Sequence, residues 1–210
     1  MKTLLIITGP QGSGNHLFSK IFAADTSIAG WTELNNQYWV AHDREPFAAA
    51  WDNPGQLCTV EFENRAVTSI SCPYARNGDA LIPDYQSFIA AAEALGYTVK
   101  LAIIGRDQNI LKYQQQRVRD THSYPLFEQQ LPYLNSFDPV YLSTELLYLY
   151  RGNYVRSIAR QLDLHINIID AQLDQILLHD PNAKYLAPTD YQALDHLVRQ
   201  VSGLNNIKLE

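Results

Sequence analysis

Between an apolar run, Leu4-Leu5-Ile6-Ile7, and an amphipathic segment from Leu17 to Phe22 lies Gly9-Pro10-Gln11-Gly12-Ser13-Gly14-Asn15-His16. A strand that turns through glycines into a helix gathers backbone N–H groups at the helix's positive end, a ready place for an anion. Gly9 and Gly14 occupy the two glycine positions of the phosphate-cradling template, which continues with Lys and then Ser or Thr. This chain has Asn15 and His16 there. Asn15 donates hydrogen bonds but carries no charge. A helix N-terminus disfavours the cationic form of His16. Gly9, Gly12, Ser13, Gly14, Asn15 and His16 are therefore the candidate anion-binding residues, and positive charge must come from elsewhere. The bland alternative is a strand-to-helix turn that needs glycine only for its shape.

A chain of 210 residues, 46% of them apolar, can bury the core of one compact domain, and residues 1–210 are read as such. A net charge of −6 argues against a protein that coats nucleic acid non-specifically, because that binding rests on many phosphate contacts. Cys58 and Cys72 lack zinc-ligand or Cys-x-x-Cys spacing, which suits a reduced, cytoplasmic chain. The apolar run after Met1-Lys2 is too short for a signal sequence and ends in Thr8-Gly9-Pro10. No stretch approaches the roughly 20 apolar residues that span a bilayer, so no membrane partner is expected.

Strand-like and helix-like segments alternate along the chain. Residues 31–52 are rich in aromatics and polar groups, and Asn53-Pro54-Gly55 closes them with a turn. Thr68 to Cys72 reads as a strand. Asp84 begins a helix that carries Tyr85, Phe88, Ile89, Ala92 and Leu95 on one face and stops at Gly96. Val99 to Ile104 has the continuous apolar character of a buried parallel strand. A helix from Arg106 to about Arg119, an interruption at Tyr124-Pro125 and a strand from Pro139 to Leu142 follow. Ser143 then caps an amphipathic helix with an irregularity near Gly152. The tail adds Ile166 to Leu178 and a last helix over about 190–201. The pattern predicts an α/β domain with a mostly parallel sheet flanked by helices.

Ligands of open α/β sheets sit at the carboxyl ends of the strands, so Arg106 should share a crevice with the glycine loop. Lys112, Arg117 and Arg119 follow on the next helix. Arginine makes forked contacts with phosphoryl oxygens, and cationic clamps on a transferring group are a main source of rate. For Lys112 and Arg117 a solvated helix face is an equal reading. Asp43, with Glu33 and His42, could orient or deprotonate a hydroxyl, and Trp31, Tyr38 and Trp39 could stack on a planar base. Core aromatics beside an acidic surface helix are the alternative. Arg76, after a strand end, is a further candidate for the crevice. No His or Cys spacing suggests a metal site, and no nucleophile elbow suggests a serine hydrolase.

The loop, the apolar strand ending in Arg106, the helix with Gln116-Arg117-Val118-Arg119 and the chain length together resemble the small P-loop kinases of the nucleotide-kinase group. Within that group the chain looks most like phage kinases that phosphorylate hydroxymethyluracil bases in viral DNA. The resemblance implies a single P-loop transferase domain in the host cytoplasm that uses ATP and Mg²⁺ and phosphorylates a hydroxyl acceptor such as 5-hydroxymethyluracil in phage DNA. It carries Gly9, Gly14, Asn15 and His16 over as phosphate-binding residues and Arg117 and Arg119 as lid residues. Asp43 would serve the acceptor, and Arg106 with Lys112 would stabilise charge. Ser13-Gly14-Asn15-His16-Leu17, Arg106-Asp107 and the segment Tyr141 to Leu164 are also similar to sulfotransferases, which implies a phosphoadenosine phosphosulfate (PAPS) donor instead. A third reading is a nucleotide-binding module without catalysis.

Overall fold

Strand β1, Lys2–Pro10, is the centre of a five-stranded parallel sheet. The computed structural model describes residues 2–24, 28–29, 47–62, 64–76, 79–119, 122–164, 166 and 168–178, with backbone only for 28–29 and 117–119. The other strands of the sheet are β2 (Ile28–Ala29), β3 (Arg65–Cys72), β6 (Tyr97–Gly105) and β7 (Val140–Ser143), in the order β2-β3-β1-β6-β7. Between β3 and β6 in sequence, β4 (Tyr74–Arg76) and β5 (Asp79–Leu81) pair antiparallel in a separate hairpin. β1 lies between β3 and β6, and the register pairs Gly9 with Ser71 and Thr8 with Ile103. All strands of the main sheet therefore finish on the same side.

Alternation along β1 divides the interior in two. Leu5 and Ile7 face one layer, formed by α1 (Asn15–Ala23), α7 (Thr144–Gln161) and α8 (Asp170–Leu178). Leu4 and Ile6 face the other, where α2 (Ala48–Asp52) and α3 (Tyr85–Ala94) pack. Phe18 and Phe22 of α1 are fully buried, and each stabilises the fold by about 2–3 kcal/mol relative to exposure. Trp51 stacks on Phe88 at a centroid distance of 3.7 Å, so the end of the aromatic stretch is core. The α/β architecture and the parallel sheet agree with the sequence pattern.

Several local expectations hold for physical reasons visible in the chain. The Asp84 side chain accepts a hydrogen bond from the Ser87 N–H and caps α3, and Gly96 ends the segment with φ of 78°. Ser143 caps α7 by accepting from the Leu146 N–H. The irregularity near Gly152 falls on Arg151, whose φ of 44° and ψ of −125° break α7 into two pieces. Tyr124-Pro125 does more than interrupt: it opens α5 (Tyr124–Glu128), where proline at the first turn forfeits no internal bond, and the short α6 (Leu131–Leu134) follows. The helix foreseen over about 190–201 and the polar residues of 31–46, Asp43 among them, lie outside the described residues.

Candidate anion site at the end of the central strand

The loop from Gln11 to Gly14 joins β1 to α1 at the carboxyl edge of the sheet, beside the ends of β3 and β6. Gly12 has φ of 87° and Gly14 φ of 116°, values that only glycine adopts at little cost. Gly9 is required for a different reason. A Cβ there would lie 2.6 Å from Ser13 Oγ and 2.9 Å from the Ile104 carbonyl oxygen.

Three side chains hold three consecutive loop carbonyls from behind. Gln115 Nε2 donates to the Gln11 carbonyl at 2.8 Å, Arg106 Nη1 to that of Gly12 at 2.6 Å, and Thr144 Oγ1 to that of Ser13 at 2.6 Å. Gln115 belongs to α4 (Gln108–Arg119), Thr144 opens α7, and Arg106 follows β6. In a trans peptide the C=O and the next N–H point in opposite directions. Tying the carbonyls back therefore turns the N–H groups of Gly12, Ser13 and Gly14 the other way. Ser13 N–H closes a turn on the Pro10 carbonyl at 3.0 Å. The N–H groups of Gly12, Gly14 and Asn15 have no protein acceptor among the described residues.

Two buried polar atoms beside these N–H groups also lack a partner: Ser13 Oγ and Asn15 Oδ1. Leaving such atoms unmade costs about 1–3 kcal/mol each, so they mark where water or a ligand belongs. Asn15 Nδ2 donates to Ser71 Oγ at 2.9 Å, which turns the amide towards β3. The two ends of an amide are exchangeable by a flip, so the same pocket could present Nδ2 to an anion with Oδ1 accepting from Ser71. His16 is half-buried in the first turn of α1. One turn further along the same helix face is Lys20, 6% exposed, whose amine burial pushes below its ordinary pKa. Sequence reading passed over Lys20, although its spacing of four from His16 signals a shared face.

Beneath the loop, Thr8 Oγ1 donates to the Ile70 carbonyl at 2.9 Å and meets Tyr85 Oη at 2.6 Å. Burial pushes the neighbouring Cys72 thiol up to about 12 and the Tyr85 phenol well above its ordinary value. Neither group ionises at neutral pH. The floor is uncharged.

The structure gathers some of the expected residues and separates others. Gly9, Gly12, Ser13, Gly14, Asn15 and Arg106 meet around the loop. Arg106 Nη1 also donates to Gln114 Oε1 at 3.0 Å, while its Nε and Nη2 have no acceptor among the described residues. Lys112 is exposed on α4, whereas the loop-facing Gln114 and Gln115 are buried. Arg117 and Arg119 belong to α4, but their side chains lie outside the described ones. Arg76 forms an ion pair with Asp52, which also accepts from Tyr74 Oη at 3.0 Å, so it ties the hairpin to α2. Asp107 caps α4 by accepting from the Asn109 and Ile110 N–H groups. Sequence reasoning missed Gln114, Gln115, Thr144 and Ser71. The Gln114-Gln115-Gln116 run was the one available signal, since uncharged amides inside a helix suit buried bonds better than a solvated face does.

Among the described residues no three or more His, Cys, Asp or Glu side chains cluster as a metal site, and no helix is long and apolar enough to cross a membrane. No protein-family model matches the chain, and no curated protein matches it. Among solved structures, the tunicamycin resistance protein of Deinococcus radiodurans is similar over 80% of this chain and 100% of that one, with 14% identity and a TM-score of 0.47. That degree of likeness assigns no chemistry to this chain.

Proposed function

We propose that this protein is a nucleotide-dependent phosphotransferase that holds its donor's phosphates in the Gly9–His16 loop and passes a phosphoryl group to a hydroxyl acceptor. The observation that carries the reading is the set of three loop carbonyls tied back by Gln115, Arg106 and Thr144. Together with the unpartnered N–H groups and the helix N-terminus, it supports a cradle for a multiply charged oxyanion. Position 15 supplies no charge, so cationic help falls to Arg106 through its remaining donors, with Lys112, Arg117 and Arg119 as further candidates. A charged donor aimed at developing charge is worth several kcal/mol in a dry site.

The loop suits phosphate oxygens but offers magnesium no hydroxyl at position 16, where His16 stands. A magnesium ion, which keeps several waters and binds readily to substrate phosphates, would arrive on the donor. It would neutralise charge on the phosphate oxygens. Asp43 is proposed to orient or deprotonate the acceptor hydroxyl, and a hydroxymethyl pyrimidine in DNA is the acceptor that the sequence resemblance favours.

Incubation with γ-labelled ATP and DNA containing 5-hydroxymethyluracil tests the reading, and label is expected in the polymer. Absence of label from that DNA removes this acceptor. Thermal stabilisation by adenosine 3′,5′-bisphosphate but not by ATP or ADP would transfer the assignment to sulfuryl transfer.

A further inference from the structure

Gln115 makes contacts that no solvated helix residue needs. It is fully buried on α4, its Nε2 holds the Gln11 carbonyl at 2.8 Å, and its Oε1 accepts from the Ser123 N–H at 2.9 Å and the Tyr124 N–H at 3.2 Å. One amide thus joins the start of the anion loop to the start of α5. That second end is itself fixed, because Gln108 Nε2 donates to Tyr124 Oη at 3.0 Å and the His122 ring stacks on that of Tyr124. Burial makes the arrangement all-or-none: a side chain unable both to donate and to accept leaves backbone groups unmatched at one end.

We infer that Gln115 is a positioning residue for the proposed anion site, setting the Gln11–Gly12 peptide from the junction of α4 and α5. The inference rests on the proposed reading only in taking the loop to receive an anion. Both ends of the Gln115 amide are taken by backbone groups. Its effect passes through the Gln11 carbonyl to the Gly12 N–H, the opposite end of one planar peptide. Whatever shifts Ser123 and Tyr124 therefore alters the cradle, which places the start of α5 and the anion loop in mechanical contact.

Amide resonances of isotope-labelled protein test this directly, since glycine N–H signals at positions 12 and 14 report loop geometry with no ligand present. Gln115→Met, which keeps the side-chain length but cannot donate and accepts only weakly, is expected to displace both signals and to weaken ATP binding by tenfold or more. Gln115→Glu adds a test specific to positioning. As a carboxylate it accepts from Ser123 and Tyr124 but has nothing to donate to Gln11. Protonated at lower pH, it matches glutamine in shape and regains one donor. Its loop signals should return towards those of the wild type as pH falls, whereas those of Gln115→Met should not.

Loop signals unchanged in folded Gln115→Met overturn the inference. If that variant does not fold, loop signals of Gln115→Glu that are displaced to the same extent across the pH range overturn it. Failure of wild-type loop signals to move on addition of ATP would instead contradict the proposed function and leave the Gln115 comparison intact.

Discussion

Arg106 and Asn15 are proposed to divide the work that one lysine does in the usual loop, and the division would be unequal. Arg106 Nη1 bonds both the Gly12 carbonyl and Gln114, so Arg106→Ala releases the loop and removes a cation together. Asn15 gives its Nδ2 to Ser71 and contributes a neutral amide, which is worth about 0.5–1.5 kcal/mol per bond. Arg106→Ala is therefore expected to lower ATP affinity at least tenfold in a folded protein. Asn15→Ala should lower it severalfold at most, and Arg106→Lys should restore only part of the loss, lacking the planar fork. Calorimetric titration of the three variants checks the order; equal losses in Arg106→Ala and Asn15→Ala would contradict it. The glycines of this site were legible in the sequence because their conformations demand glycine, as the positive φ values of Gly12 and Gly14 demonstrate. Gln115 and Thr144 were not. Each acts on a residue more than a hundred positions away, and nothing local distinguishes such a side chain from a surface one.

At the scale of elements, the seam joining β1, β3 and α3 sets a pH dependence. Cys72 lies at the end of β3 and Tyr85 at the start of α3, and burial raises both pKa values, that of the thiol from 9.0 to about 12. Groups with a raised folded pKa contribute stability that is fully present below the unfolded value and lost as pH rises. The seam should therefore weaken as pH climbs above 9.0, where an unfolded thiol ionises and the folded one does not. Melting temperature followed from pH 8 to 11 is expected to fall more steeply for the wild type than for Cys72→Ala. Parallel curves would show that the thiol plays no part. The capped ends of α3 and α7 were readable because capping is local chemistry of a few residues. The break in α7 was readable near Gly152, but the unusual φ falls on Arg151; residue 152 is glycine for a separate reason, since a Cβ there would strike Asp170 of α8. Arg151 in turn bonds Asp174 at 2.6 Å, a contact set by α8 rather than by α7 itself. The β4–β5 hairpin escaped the reading because each strand has three residues, too few to establish a period.

For the whole molecule, the continuous apolar run from Val99 to Ile104 already implied a strand buried on both faces, and hence helices on each side, and the unbroken run from Leu4 to Ile7 has the same character. The order β2-β3-β1-β6-β7 was not legible, because several orders satisfy the same short connections and buried faces. That order matters to the site. It puts β1 between β3 and β6, so Ser71, the glycine loop and Arg106 share one edge of the sheet. This edge is proposed to bind the phosphates of a nucleotide through backbone N–H groups held in place from behind. Titration calorimetry with ATP and with adenosine, under the same buffer and salt, isolates the contribution of the phosphates, in which alone the two differ. Binding of ATP at least a hundredfold tighter than that of adenosine is expected. Equal affinities, or no binding of ATP at all, would contradict it.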